Sequence, residues 1–509
     1  MKPEKTSFAH SLQQTLAWAY LLAMLGGFPF YFQNNYINIV ASKKSFFQAA
    51  TLSFLVPAAL LGICSWAAAR RKYPCRPAAW SAADLSALAF MAVVAISCFL
   101  SPEGAEAFWG DKGRQMGGLF LLLCAGAYWG VSRCYEHREW VCGLFLFSAS
   151  ILWLIMACNF WGWDLLGMHS NLKKSQIPHF LGTLGNQNIN ASYSGVLVSL
   201  MLAFYYASEQ TLHRFCFGGI SVLGIYACYC SSSDSWLLAA GGALLLLLAL
   251  SMGDAAQMLK WLKCCMAFAC GSLAMGITVS LARTLHWDSR FIQRFCRQTL
   301  LSSLSSLPLS ATALALLLLL YLCIHRKGGA GRLMAWLKKY GNPLLAAGIL
   351  VGILAIGISI FPLEDSFGTN RGYIWKRTLR NFRELPFWQK LFGYGPNCFY
   401  QSLQARFGAE MRELFDSPFL DAHNEALQIL SITGILGLAS YLGMQLCLLS
   451  ACLRRRRQEG IFLAGCVGIT AYLLQGLVNN PSIFTLPPFF IFLGMVENRL
   501  RKAKSEHPS

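Results

Sequence analysis

Apolar runs long enough to cross a bilayer recur along almost the whole chain, at about 15–33, 45–68, 80–100, 117–132, 140–161, 190–207, 215–231, 235–252, 262–282, 302–324, 343–361, 425–450, 460–478 and 483–497. A helix needs about 20 apolar residues to span the hydrocarbon core, so fourteen runs occupy about 280 residues. The pattern predicts an all-α integral membrane protein with about 12–14 transmembrane helices, the shortest runs, 117–132 and 483–497, setting the range. The first run is rich in Phe and Tyr at its far end and lacks a small-residue cleavage site, so it reads as a retained span, not a cleavable signal. Three regions follow: an N-terminal bundle of about eleven spans over 1–362, a long loop over 363–424, and C-terminal helices with a basic tail over 425–509.

Composition excludes a soluble protein. Of the 509 residues 56% are apolar or aromatic and 13% are charged, the latter about half the roughly 25% of a soluble domain. The 42 Lys and Arg outnumber the 23 Asp and Glu, for a net charge of +19. In a soluble chain that excess would suggest nucleic acid; here it orients the spans, and no nucleic-acid partner is expected. With the N-terminus inside, 24 cations fall in the inner segments: Lys2, Lys5, Arg70, Arg71, Lys72, Arg76, Arg133, Arg138, Arg214, Lys260, Lys263, Arg326, Lys327, Arg332, Lys338, Lys339, the run Arg454 to Arg457, Arg499, Arg501, Lys502 and Lys504. Eighteen fall outside, eight of them in 363–424, where the rule loses force because the loop is long. Both termini are therefore expected in the cytoplasm and 363–424 on the extracytoplasmic side of the cytoplasmic membrane.

The 19 Cys are scattered, many of them inside spans, and the nine His form no HExxH or paired Cys/His arrangement. Walker, dinucleotide-binding and GxSxG signatures are missing as well. Nucleotide-driven chemistry is not expected, and neither a metal nor any other cofactor.

Chemistry then has to come from the outer loops. The first constellation is Trp109-Gly110-Asp111-Lys112-Gly113-Arg114, with Gly117-Gly118 where the chain re-enters the membrane. Arg114 can serve there as an interface anchor or as an anion ligand. The second runs from Gly182 through Thr183, Gly185, Asn186, Asn188 and Asn190; these residues can turn the chain and cap a helix, or present amides to a hydroxyl-rich ligand. In the long loop, 371–385 reads as an amphipathic helix. Trp375, Leu379 and Phe382 share one face, Lys376, Arg380 and Arg383 another, and Asn370 is the candidate N-cap. Such a helix can lie on headgroups or offer its arginines, Arg377 among them, to an anion. Next comes Gly393-Tyr394-Gly395, whose glycines permit close backbone approach to a ligand. Last is Asp421-Ala422-His423-Asn424-Glu425, with Asp421 placed as N-cap and His423 in the first turn of the span that follows. A lone His there is structural; beside several Arg at a cavity mouth it suits a base working next to a polyanion.

In order, these motifs are WGxxxR with GG, GTxGNxN-A, NRxxxW, Pro386 with GYG, and HNxxLQxxxxxGxxG over His423, Asn424, Leu427, Gln428, Gly434 and Gly437. Together they resemble the O-antigen ligase/polymerase superfamily, the Wzy_C-type multi-pass glycosyltransferases. The resemblance extends over about 100–480, centres on roughly 215–440, and is most specific in 365–440.

The resemblance implies a GT-C-like membrane enzyme that moves a glycan from a polyprenyl-diphosphate carrier to a glycan, lipid or protein acceptor, outside the cytoplasmic membrane, without metal or nucleotide sugar. His423 would be the general base and Arg371 the holder of the diphosphate. Arg114, Asn186, Arg377, Arg380, Gly393, Gly395 and Asn424 would bind substrate, and membrane lipids would surround the whole. One departure stands out. Many members carry Ser-Arg before the span that begins here near Ser235, and this chain has Asp234 at that place. A lipid-linked glycan flippase or exporter is the alternative, but it predicts internal repeats and mid-membrane polar residues, neither of which is evident.

Overall fold

The structure, a computed structural model, describes residues 8–70, 80–326, 330–360, 364–415 and 419–506. Lys2, Lys5, Arg71, Lys72, Arg76 and Lys327, all used in the charge count, lie outside the described residues. The chain is an all-α multi-pass membrane protein. Among the described residues seven helices are long and apolar enough to cross a bilayer: Ile39–Ala67, Ala82–Leu100, Glu139–Phe160, Gln187–Ala207, Ala255–Thr284, Leu307–His325 and Glu425–Arg455. Shorter apolar helices, Gly118–Cys134, Trp236–Ser251 and Gly460–Gly476, account for further runs. Leu316 and Leu319 on Leu307–His325, and Leu350 and Val351 on Asn342–Ile360, are more than half exposed. In water such surfaces would drive aggregation; against lipid tails their exposure carries no such cost.

By packing the chain forms two units. The first is built from Met1–Ser148, Ile374–Arg454 and Asn480–Ser509, the second from Ala149–Tyr373 and Arg455–Asn479. In the first, aromatic side chains fill the space between helices: Tyr20 stacks on Phe54 at 4.8 Å, Phe47 meets Phe120 edge-on at 5.3 Å, and Phe90 meets Tyr441 at 5.4 Å. One end of this bundle is tied by charge. Asp84 closes a capping box with Ser81 at the start of Ala82–Leu100, accepts from Tyr128 and Arg133, and pairs with Arg501 of the helix Leu486–Glu506. A buried carboxylate needs such partners to remain ionised.

In the second unit small polar side chains join the helices. Trp153 Nε1 donates to Ser194 Oγ at 3.1 Å, Ser192 Oγ to Gln475 Oε1 at 2.5 Å, and Tyr229 and Ser272 share a hydrogen bond of 2.9 Å. A two-stranded antiparallel hairpin, Phe180–Leu181 with Gly185–Asn186, precedes the helix Gln187–Ala207.

Several sequence expectations change here. The long loop is mostly helical, with Phe367–Glu384, Phe387–Phe392 and Phe399–Leu414 where only 371–385 was expected. The buried stripe of the first of these is Ile374, Thr378 and Asn381, continued by Leu385 just past its end, while Leu379 is 42% exposed. Polar residues can occupy that stripe because Asn381 Nδ2 finds Ser402 Oγ at 2.7 Å on the helix Phe399–Leu414. Asn370 is not an extended N-cap either: its φ is +68° and that of Gly368 is +59°, so both sit in the left-handed region.

The span at 425–450 is also not one continuous helix. Within Glu425–Arg455 the backbone breaks at Gly434, with φ +71° and ψ −172°. The break frees carbonyls that would otherwise bond inside the helix. Ser431 O accepts from Tyr394 N at 3.0 Å, and Ile432 O accepts from Gly395 N at 3.2 Å and Ser97 Oγ at 2.9 Å. A Cβ on Gly434 would stand 2.3 Å from the Leu391 backbone, and one on Gly393 2.2 Å from that of Ile432. Gly434→Ala, which adds a side chain in a glycine-only region costing about 1–3 kcal/mol before any clash, should lower the unfolding temperature of the purified protein. Gly143→Ala, in a helix and with nothing within 4 Å of its added Cβ, should leave it unchanged; equal behaviour of the two would show that the break is dispensable.

Candidate active site

The segment after the helix Phe399–Leu414 ends in Asp421, Ala422, His423 and Asn424, just ahead of Glu425. The N-cap is Asn424, whose Oδ1 accepts from Leu427 N at 3.0 Å, and not Asp421 as the sequence reading placed it. His423 therefore precedes the helix instead of lying in its first turn. Its φ is +47°, a left-handed conformation uncommon for a side-chain-bearing residue. Neighbouring bonds hold it there. Ala422 N donates to Gln428 Oε1 at 2.9 Å, and Ala422 O accepts from Trp375 Nε1 at 2.9 Å.

Asp421 is the centre of the arrangement, with a side chain 1% exposed. Its two oxygens are divided between two partners. Oδ2 accepts from Arg114 Nε at 2.6 Å and lies 2.5 Å from Nη2. Oδ1 accepts from His423 N at 3.0 Å and stands 3.3 Å from His423 Nδ1. Burial alone would raise the Asp421 carboxyl, but the Arg114 and His423 charges, with their hydrogen bonds, outweigh it and hold the group below its ordinary value. The histidine ring is one-third exposed and Arg114 somewhat more.

Arg114 reaches Asp421 from a strapped loop. Lys44 Nζ donates to Trp109 O at 2.7 Å and Gly110 O at 2.9 Å, and pairs with Asp111 at 3.2 Å, closing the C-terminus of the short helix Gly104–Trp109. Asn397 Oδ1 accepts from Met116 N at 2.9 Å, while its Nδ2 donates to Glu106 Oε1 at 2.6 Å and Lys112 O at 2.8 Å. Lys44, Glu106, Asn397 and Asp421 were not singled out as site residues from the sequence. The only prior signal was the position of Asn397 after Gly395-Pro396, a turn sequence in which Asn accepts a positive φ, here +60°.

The other candidates fall elsewhere. Gly393 and Gly395 belong to the same unit as His423, and the backbone and side chains they approach are Ile432, Thr433 and Ser101. Arg377 is clamped by both oxygens of Glu410 and lies over Phe407, and Arg380 pairs with Glu384 at 3.1 Å. Asn186 and Arg371 belong to the second unit. Asn186 Oδ1 caps Gln187–Ala207 through Asn188 N at 2.8 Å, and Asn190 Nδ2 ties the hairpin by donating to Leu181, Gly185 and Asn186 carbonyls. Arg371 is half-buried, its stem beside Gly368. Asp234 is exposed in the turn before Trp236–Ser251.

Residues 298–442 match the family model Wzy_C, O-antigen ligase. The chain thus carries an O-antigen ligase domain, which bears out the resemblance to the O-antigen ligase/polymerase superfamily, and its function is of the O-antigen ligase type in polysaccharide biosynthesis. The match takes in Arg371, Arg377, Arg380, Gly393, Gly395, His423 and Asn424, and leaves Arg114 and Asn186 outside. No curated protein matches the sequence.

The depressed carboxyl of Asp421 gives a test of the cluster. Its ionised form stabilises the fold above about pH 4, the ordinary Asp value, and that contribution disappears as pH falls through the lower folded value. Asp421→Asn should lower the unfolding temperature in detergent at pH 7, and the gap to wild type should close on acidification. A gap independent of pH would assign the effect to packing instead of charge.

Proposed function

We propose that the protein transfers a glycan from a polyprenyl-diphosphate-linked donor to a hydroxyl of a glycan, lipid or protein acceptor, as an O-antigen ligase or polymerase. The observation that carries this reading, beside the family match, is His423 with Nδ1 against buried Asp421. In this reading the His423 ring takes the acceptor proton and Asp421 stabilises the imidazolium that forms. The acceptor oxygen attacks the anomeric carbon, the bond from that carbon to the diphosphate oxygen breaks, the acceptor proton passes to His423, and the polyprenyl diphosphate departs. A positioned base contributes about 10²–10⁴-fold. Arg371 holds the departing diphosphate, whose growing charge a guanidinium stabilises through paired hydrogen bonds. Arg114, shared with Asp421, sets the histidine and lends charge. Asn186, Arg377, Arg380, Gly393, Gly395 and Asn424 are proposed to bind substrate. The chemistry needs neither metal nor nucleotide. A flippase or exporter is not favoured, since it gives no role to a strained, carboxylate-held histidine.

The proposed setting is the cytoplasmic membrane, with both termini inside and the site outside. The 24 inner cations against ten outer ones beyond the long loop support it. A membrane-impermeant thiol reagent should label Gln404→Cys, an exposed position on Phe399–Leu414, in intact cells above the native-cysteine background. Labelling only after lysis would reverse the orientation.

For the chemistry, glycan transfer is measured in a deletion strain with matched membrane levels of each variant. His423→Gln should abolish transfer while leaving the protein abundant. Arg371→Lys should keep donor binding but lose about 10²–10³ in rate, the effect of losing one oriented donor at developing charge. Near-normal transfer by His423→Gln removes it as base; silent replacement of Arg371 by Lys makes that residue a headgroup anchor.

A further inference from the structure

In the second unit two polar segments meet where two spanning helices end. Residues 161–180 follow Glu139–Phe160, and residues 285–297 follow Ala255–Thr284. They are stitched together: Trp287 Nε1 donates to Trp161 O at 2.7 Å, Ser289 Oγ to Phe160 O at 2.6 Å, and Arg290 Nη1 to Lys174 O at 3.2 Å. Trp161, Trp163 and Trp287 form a mutual cluster, with ring centroids 6.1 to 6.5 Å apart. Trp163, Trp287, Leu165 and Leu285 are 41–66% exposed. A side chain of that kind is costly in open water and suited to the boundary between headgroups and tails, where an indole finds both media.

Around this cluster stand six cations, Lys173, Lys174, Arg283, Arg290, Arg294 and Arg297, none in an ion pair within the described residues. The nearby carboxylates are committed elsewhere. Asp164 accepts from Met168 N and His169 N and faces the His169 ring, and Asp288 accepts from Gln293 at 2.7 Å. Arg294 instead meets His179 Nε2 at 2.9 Å, and its own Nε is buried without a hydrogen-bond partner among the described residues. Burial and the Arg294 charge both lower the His179 pKa, favouring the neutral ring that can accept from Arg294. On the orientation proposed above, these six are most of the ten cations that the charge rule leaves outside beyond the long loop. Cations retained there against the rule call for an anionic partner. The leaflet rests on that orientation; the surface does not.

We propose that this face of the second unit seats in the headgroup layer and binds phosphate-bearing anionic lipid. Trp163, Trp287 and Leu165 lie at the acyl boundary, and Lys173, Lys174, Arg290, Arg294 and Arg297 lie on lipid phosphates. The partner is an anionic lipid surface, recognised by charge together with an aromatic anchor.

The test uses the full chain in phosphatidylcholine vesicles that contain the same minor fraction of either dibrominated phosphatidylglycerol or dibrominated phosphatidylcholine. Bromine quenches tryptophan on contact, and subtracting the signal of Trp163→Phe/Trp287→Phe isolates these two rings. We expect severalfold stronger quenching of that difference signal by the brominated phosphatidylglycerol. Lys173→Gln/Lys174→Gln/Arg297→Gln, all exposed, should bring the two lipids level while quenching by phosphatidylcholine persists, and Arg294→Gln should weaken the preference on its own. Equal quenching of wild type by both lipids would overturn the anionic preference, and no quenching by either would remove the surface from the bilayer. Loss of the preference on adding inorganic phosphate would make it a free-anion site and also overturn the proposal. Transfer activity does not enter these readings, so they stand or fall apart from the glycosyltransfer chemistry.

Discussion

A single buried carboxylate organises the candidate site. Asp421 is almost wholly removed from solvent, and ionised carboxylates are stable in that condition only when their lone pairs are engaged. Here one oxygen is held by Arg114 and the other by the backbone and ring of His423. The requirement that both oxygens be satisfied brings together residues 307 positions apart. It also accounts for the left-handed backbone at His423: the turn that lets His423 N reach Oδ1 is the turn that aims the imidazole. Strain at that residue and burial of the acid are two sides of one arrangement.

What surrounds the carboxylate makes it rigid. Asn424 and Gln428 occupy the start of Glu425–Arg455, the first as cap and the second by reaching back to Ala422 N. Nine residues into the broken helix, Gly434 releases Ser431 and Ile432 carbonyls to the turn at Tyr394 and Gly395. That turn continues into Asn397, which straps the loop bearing Arg114. Hydrogen bonds thus connect the interior of a membrane helix to the loop that carries the guanidinium beside the acid. The glycines of the Gly393-Tyr394-Gly395 motif serve this junction, where two backbones approach too closely for any Cβ.

The arginines divide by what they face. Arg377 and Arg380 are balanced by Glu410 and Glu384 across neighbouring helical segments, so their charge is largely spent within the protein. Those of the second unit's Trp-rich face form no ion pair among the described residues, because Asp164 and Asp288 are engaged by other groups. Lys44, in the first turns of its helix, spends its charge on two carbonyls and Asp111, and so acts on the loop and not on a ligand. Residue type alone does not distinguish these roles. Partner geometry does.

Much was legible in the chain itself. Apolar runs of bilayer length require helices, because no water is available in hydrocarbon to satisfy an exposed backbone, and every run centres on one. The spacing of His423, Asn424, Gln428 and Gly434 was visible too, since cap, back-bonding and break all act within a few turns of one helix. The helix Phe399–Leu414 could have been read from Phe399, Leu403, Phe407 and Met411 at intervals of four, yet its packing depends on Asn381 and Arg377 from a different helix. Local pattern could not show that Asp421 would turn away from the cap to meet Arg114, that Lys44 and Asn397 would strap the loop, or that Gly434 would break a span. Those outcomes depend on which donors and acceptors are left unsatisfied when distant segments pack, a condition set by the tertiary structure, whereas the sequence by itself determined the helices, their membrane setting and the residues available to meet it.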